Sequence, residues 1–348
     1  MSVLVVRPRA SGGLAAHVDQ ELEALAADGI AVHEADVQIQ DRPSPLVDLT
    51  TVRTLRRLLA SACPRAVHAH GLRAGALSAL ALPRRAPVRL VVTLHNRTVG
   101  GPAVRAVGAV LLRILARRAE TVLAVSPDLA EDARHAGAKH VQHAIIPAPH
   151  GTGGPAARVT APPSKASAAG DTFDILVIAR LAPQKGLESL LDAAALLAVE
   201  QPPLRILVAG DGPLLGRLRA RIDAEDLPVQ LLGHREDVGE LLAGADLVVS
   251  AARWEGQPVS LQEALRAGRA IVATDAGGTR WVTGEAARLV PVGDAQALAA
   301  AITDHVDDEV RAAAEQASRQ RAAQLPGRRE MTAQLREVLL GPPPPMVG

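Results

Sequence analysis

Asp246–Gly268, reading DLVVSAARWEGQPVSLQEALRAG, decides the architecture. Leu247 to Val249 is a short apolar run of the kind a buried parallel strand uses. Ser250 to Gln257 is loop-forming, and Pro258 stands where a helix begins, because its missing N–H costs nothing there. From Val259 to Ala267 the apolar residues recur at helical spacing, and Gly268 closes the helix. The stretch therefore predicts a strand, a loop and a helix, with Glu255 in the loop and Glu263 in the second helical turn.

That order has a chemical use. The free N–H groups of Val259, Ser260 and Leu261 form an anion site at the helix start. Glu255 lies in front of it, and Glu263 lies about 7 Å along the helix behind it, at about 1.5 Å rise per residue. A ligand with a diphosphate at the helix end could offer sugar hydroxyls to one carboxylate and ribose hydroxyls to the other. Taken alone, the two glutamates fit better as a loop Glu and a solvated helix Glu beside Arg266.

The same rhythm continues on both sides. Upstream, strands are predicted at Phe173–Ala179, Leu204–Ala209 and Val229–Leu232, alternating with helices at Leu187–Val199 and Pro213–Asp223. Downstream, Ala270–Thr274 reads as a strand and Asp275–Thr279 as a Gly-rich loop, followed by helices at Ala295–Ile302, Val310–Ala323 and Arg328–Leu340. This is a doubly wound α/β pattern. The first strand runs into ARLAPQKG, where Arg180 and Lys185 can neutralise charge building on a diphosphate leaving group. The chain has only three lysines, Lys139, Lys165 and Lys185, and otherwise uses Arg. A Lys kept among so many arginines suits a compact, point-like charge; the plain alternative is a surface basic pair.

The first half repeats the pattern. Strands are predicted at Val3–Val6, Ile30–His33, Ala66–His70, Val88–Leu94 and Thr121–Val125. Helices fall at Leu14–Ala27, Leu49–Ala60 and Leu72–Leu82, and the two-proline stretch Asp41–Asp48 reads as a loop. Gly12 and Gly13 precede the first helix and would let backbone approach a phosphate closely. His68 and His70 share one strand face at a spacing compatible with a metal, but no matching Cys or carboxylate cluster accompanies them in sequence, so no metal site is expected. His95 ends a strand, where open α/β sheets place ligand groups. From Pro147 to Asp171 the chain is rich in Pro, Gly, Ala and Ser and reads as a linker. The organisation expected is a domain over 1–146, a linker over 147–171, a second domain over 172–325, a helix over 326–340 and a disordered tail over 341–348.

EGQPVSLQE matches the E-G-x-P-x-x-x-x-E signature of retaining glycosyltransferases of the GT-B fold, family 4. R-x-x-x-x-K-G at Arg180–Gly186 resembles that family's donor-phosphate motif, G-G-x-x-x-H at Gly12–His17 its first strand–helix turn, and T-L-H at Thr93–His95 its T-x-H position. The resemblance implies two Rossmann-like domains facing across a cleft, and sugar transfer from a UDP-, GDP- or other nucleotide-diphosphate sugar to an acceptor hydroxyl with retention. It implies that Arg180, Lys185 and the helix start at Val259 stabilise the leaving diphosphate, that Glu255 holds the transferred sugar and Glu263 the ribose, and that His95 orients the donor. Gly12 and Gly13 would border the diphosphate, and the Gly233–Arg235 segment would read the base through backbone groups. The last helix would cross back to the first domain. No D-x-D metal motif appears, consistent with cations of the chain replacing a metal, so no cofactor or metal is expected. The acceptor, whether glycan, lipid-linked or small molecule, is not specified.

Composition narrows the alternatives. A chain of 348 residues with 48% hydrophobic content can hold two cores. Aromatics are only 1% and Tyr is absent, which disfavours a stacking nucleic-acid binder. Cys63 is the lone cysteine and the N-terminal SVLVV lacks preceding basic residues, so a cytoplasmic protein is expected. Through Lys165, 20 Lys and Arg stand against 12 Asp and Glu; the remainder is acidic. A basic front half suits an acidic acceptor or peripheral contact with an anionic membrane, and Arg-rich usage is the alternative explanation. A nucleotide-sugar epimerase and an inactive nucleotide-sugar sensor are the rival functional readings.

Overall fold

The computed structural model describes residues 2–8, 13–39, 44–83, 87–98, 100–148, 172–198 and 203–341. Gly12, most of the proposed linker and residues 342–348 of the tail lie outside them. The chain divides into two compact units, one of residues 1–147 with 326–348, the other of 148–325.

The first unit is built on β1 (Ser2–Val6), β2 (Ala31–Glu34), β3 (Ala66–His70), β4 (Arg89–Leu94), β5 (Thr121–Ala124) and β6 (Val141–His143), all parallel, in the order β2-β1-β3-β4-β5-β6. Every residue of β3 is buried, as a strand covered on both faces requires. Its helices include Gly13–Ala27, Pro45–Ala62, Leu72–Ala81 and Pro102–Ala116. Pro45–Asp48, expected as loop, is instead the first turn of a helix that starts on Pro45; proline is pre-organised for that position.

The helix Arg328–Leu340 returns to this unit, although it follows the second in sequence. It buries Met331, Leu335, Val338 and Leu339 along one stripe. The Gln334 amide accepts from Ile145 N–H at 3.0 Å and donates to the His143 carbonyl at 2.7 Å. At the far end, Arg65 donates to the Leu340 carbonyl at 2.8 Å.

The second unit carries β7 (Phe173–Ile178), β8 (Leu204–Ala209), β9 (Val229–Gly233), β10 (Leu247–Ser250), β11 (Ala270–Thr274) and β12 (Arg288–Val290), parallel, in the order β12-β11-β10-β7-β8-β9. Alternate strand residues feed two separate cores. Ile175, Val177, Ile206, Val208, Leu247, Val249 and Val272 meet Leu190, Leu191, Leu197, Leu298 and Ile302 on one face. Leu176, Val248, Ile271 and Ala273 meet Leu241, Leu261 and Leu265 on the other. The strand period of two thus makes a three-layer α/β/α unit. Both units are doubly wound and Rossmann-like.

Candidate functional site

In the second sheet the chain steps from β7 through β8 to β9 in one direction, then from β10 through β11 to β12 in the other. The switch point lies between β7 and β10, and open α/β sheets bind ligands at the strands' C-terminal ends beside such a point. The loops flanking it are Arg180–Gly186 after β7 and Ala251–Pro258 after β10.

These two loops are locked together. Arg253 N–H donates to the Gln184 carbonyl at 2.8 Å. Gly186 has φ 64°, and a Cβ there would sit 1.8 Å from the Ala251 carbonyl oxygen, so no other residue fits. This close approach positions Lys185 at the end of the 3-10 turn Pro183–Lys185, with its ammonium paired to Glu255 Oε1. Glu255 is 7% exposed, and the pair spares it the cost of an unpartnered buried carboxylate. From the other side, the Gly278 N–H donates to the Glu255 carbonyl at 2.9 Å, and a Cβ on Gly277 would lie 2.0 Å from the same oxygen.

Pro258 caps the helix Val259–Arg266, and the first helical bond runs from Gln262 N–H to the Pro258 carbonyl. The N–H groups of Val259, Ser260 and Leu261 therefore precede the ladder and remain donors for an anion. Glu263 is half-buried on this helix; burial raises its pKa against the pull of Arg266. Arg180 follows β7, exposed. Gly233 ends β9 with φ 71° and accepts from Gly210 N–H at 2.7 Å. The geometry thus joins Lys185 to Glu255. No hydrogen bond or ion pair among the described residues joins Arg180, Gly233 or Glu263 to that pair.

The first unit has its own switch point, between β1 and β3. Gly13 starts the helix after β1, and His17 and Glu21 lie on one face of it, with His17 Nε2 2.8 Å from Glu21 Oε1. Facing them are His68 and His70 on β3 and the half-buried His95 just after β4. His70 Nδ1 lies 3.2 Å from His95 Nε2, with the two rings stacked at 5.4 Å. Burial, then the neighbouring His17, lowers the His95 pKa to about 3, so this ring is a neutral hydrogen-bonding group.

Glu21 corrects the reading that no carboxylate accompanies His68 and His70. Its Oε2 stands 3.4 Å from His68 Nδ1 and 3.3 Å from His70 Nε2. The available signal was the i,i+4 spacing of His17 and Glu21 on one helix face, but nothing in the sequence aims that face at β3.

Residues 1–149 match the family described as glycosyl transferase 4-like domain, and residues 172–308 match glycosyl transferases group 1. Each half of this GT-B fold thus matches a glycosyltransferase domain model, and the two models together span most of the chain. It is similar to exopolysaccharide phosphotransferase SCO2592 of Streptomyces coelicolor, 35% identical over 39% of this chain and 15% of that protein. It is also similar to phosphatidyl-myo-inositol mannosyltransferase of Mycolicibacterium smegmatis, 36% identical over 36% of this chain and 34% of that protein. The matched segments therefore cover about a third or less of these relatives' lengths. Among solved structures, Alr3699/HepE of Anabaena in complex with UDP and glucose superposes with a TM-score of 0.78 at 20% identity. That match covers 98% of this chain and all of the other.

Proposed function

We propose that the protein is a retaining, metal-independent glycosyltransferase that moves a sugar, hexose in class, from a nucleotide-diphosphate sugar to an acceptor hydroxyl. The observation that carries this reading is the interlocked pair of loops at the β7/β10 switch point. They set a lysine, a buried glutamate and a row of free helix N–H groups at one sheet edge. The complex of the Anabaena protein with UDP and glucose supports the choice of donor.

In this reading Lys185, Arg180 and the N–H groups of Val259, Ser260 and Leu261 take up the charge that develops as the anomeric C–O bond to the diphosphate breaks. Glu255 accepts hydrogen bonds from the transferred sugar, Glu263 from the ribose, and the backbone near Gly233 contacts the base. Gly12 and Gly13 border the diphosphate. His95 donates to or accepts from the sugar as a neutral ring, and the acceptor is assigned to the first unit. Retention places the acceptor on the face the diphosphate leaves, so a departing phosphate oxygen can take the acceptor proton. No cofactor is required at the diphosphate.

The first unit also offers a surface for peripheral membrane contact. The helix Pro102–Ala116 exposes Val104, Val107 and Val110 beside Arg105 and Arg113, a pairing suited to anionic lipid. No helix is long and apolar enough to cross a membrane among the described residues. The mycobacterial relative, named for an inositol-lipid acceptor, supports a lipid-linked acceptor. A cytoplasmic location with peripheral membrane contact is part of the same proposal.

The deciding experiment incubates the chain with UDP-, GDP- and ADP-sugars, with and without an acceptor panel, and follows nucleotide release and product. Nucleotide release that accelerates with one acceptor, giving an α-configured product from an α-configured donor, supports the proposal. Conversion of the donor sugar without acceptor identifies an epimerase, and binding without any turnover identifies a sensor; either outcome overturns it.

A further inference from the structure

The transfer reading leaves a buried constellation in the first unit unused. Glu21, His68 and His70 are 3%, 0% and 0% exposed, and Glu21 Oε2, His68 Nδ1 and His70 Nε2 converge with all three atoms within 4.8 Å of one another. None of the three has a hydrogen-bond partner. Buried polar atoms are nearly always satisfied, so three orphans aimed at one point need an explanation.

The outer atoms of the same side chains are partnered. His68 Nε2 lies 2.8 Å from the buried Thr93 Oγ1, and His70 Nδ1 lies 3.2 Å from His95 Nε2. Glu21 Oε1 lies 2.8 Å from His17 Nε2. His68 and His70 thus each spend one ring nitrogen on an orienting hydrogen bond and present the other inward, the pattern by which outer partners orient metal ligands, while Glu21 keeps Oε1 at ion-pair distance from His17, whose Nε2 makes no hydrogen bond.

The two spacings from the carboxylate oxygen and the ligand chemistry both favour a tetrahedral ion. Glu21 Oε2 is 3.4 Å from His68 Nδ1 and 3.3 Å from His70 Nε2, long for a charged hydrogen bond of about 2.7–2.9 Å. A tetrahedral ion with bonds of about 2.0–2.1 Å sets its ligands about 3.3–3.4 Å apart. An octahedral ion at the same bond length would draw them to about 3.0 Å. Two imidazoles and one carboxylate also suit zinc better than magnesium or calcium, which take oxygen ligands.

We propose that Glu21, His68 and His70 form a buried binding site for a tetrahedral transition-metal dication of the zinc class. The site draws only on first-unit side chains to which the transfer reading gives no role, so it stands whether or not that reading holds. With Nε2 on the metal, His70 carries its proton on Nδ1 and donates it to His95 Nε2. His95 then bears its own proton on Nδ1. The metal therefore pins the helix Gly13–Ala27 to β3 and sets the tautomer of His95.

The test uses the full chain without a histidine tag, expressed with added zinc and dialysed, with metal content read by elemental analysis. We expect about one zinc per chain. After chelator treatment, Zn²⁺ should raise the melting temperature by about 3 °C or more while Mg²⁺ leaves it unchanged. The shape-conserving Glu21→Gln should cut zinc content at least about tenfold with an unaltered circular dichroism spectrum. A second readout on the stripped wild-type chain, Co²⁺ titration, should give the intense visible absorption of a tetrahedral site, which keeps the proposal testable if Glu21→Gln fails to fold. A zinc-free chain that also shows neither Zn²⁺ stabilisation nor the Co²⁺ spectrum overturns it. Equal zinc content in a folded Glu21→Gln overturns it too.

Discussion

The two sheets have the same parallel, doubly wound topology, yet their C-terminal edges are furnished in opposite ways. The first sheet fills its switch point with buried side chains, among them His17, Glu21, His68 and His70, and leaves only His95 half-buried. The second fills its switch point with backbone. Gly186, Gly277 and Gly278 let loops touch, and the charged side chains Arg180 and Lys185 stay at least partly open to solvent. A buried edge can position a group and has little room for a charged ligand. An edge of tight glycine turns, free N–H groups and accessible cations can receive a diphosphate. Fold alone does not distinguish the two units; the side chains at the edge do.

Substitutions can break or sharpen that contrast. The largest effect is expected at Gly186, where an added Cβ would collide with the Ala251 carbonyl and φ is left-handed. Gly186→Ala should cost more than about 2 kcal/mol in chemical denaturation and abolish turnover, because the two loops would part. Lys185→Ala leaves the backbone intact but removes the charge proposed to face the diphosphate; kcat/KM should fall about 10²- to 10³-fold. Lys185→Arg should restore only part of it, since a planar fork replaces a point charge. Next in size, His95→Ala should lower kcat about tenfold, with no change in the affinity for free nucleoside diphosphate, which the proposal assigns mainly to the second unit. The smallest effect is expected at Arg219, exposed on the helix Leu215–Glu225 and in neither edge. Arg219→Ala should leave kcat/KM within about twofold and stability within about 0.5 kcal/mol.

The two edges also differ in how far the sequence exposes them. Lys185, Glu255 and Pro258 lie in short local patterns, strand–loop–helix each time, where spacing alone sets the placement. The fold is equally legible there, because strands such as Leu247–Ser250 and Ala270–Thr274 read as unbroken apolar runs. Glu21 could not be placed in this way. Its partners are far away in the chain, and only the packing of the first helix against β3 brings them together. The pairing of Lys185 with Glu255 was likewise hidden, since separate motifs carry the two residues and a tertiary contact at Gly186 joins them. Val141–His143 and Arg288–Val290 escaped as strands because three residues with polar members show no period. Pro45 misled in the other direction, as a proline that starts a helix looks like one that breaks it.

The central claim is that the second unit's sheet edge receives a nucleoside diphosphate through Lys185 and the helix start at Val259. Calorimetric titration of the wild-type chain and of Lys185→Ala with UDP, GDP and ADP, each beside its monophosphate, tests it most directly. The account predicts that one diphosphate binds the wild-type chain at least about tenfold tighter than its monophosphate, and that Lys185→Ala erases this difference. A wild-type chain that binds none of the diphosphates, or a Lys185→Ala variant with undiminished preference, would contradict it.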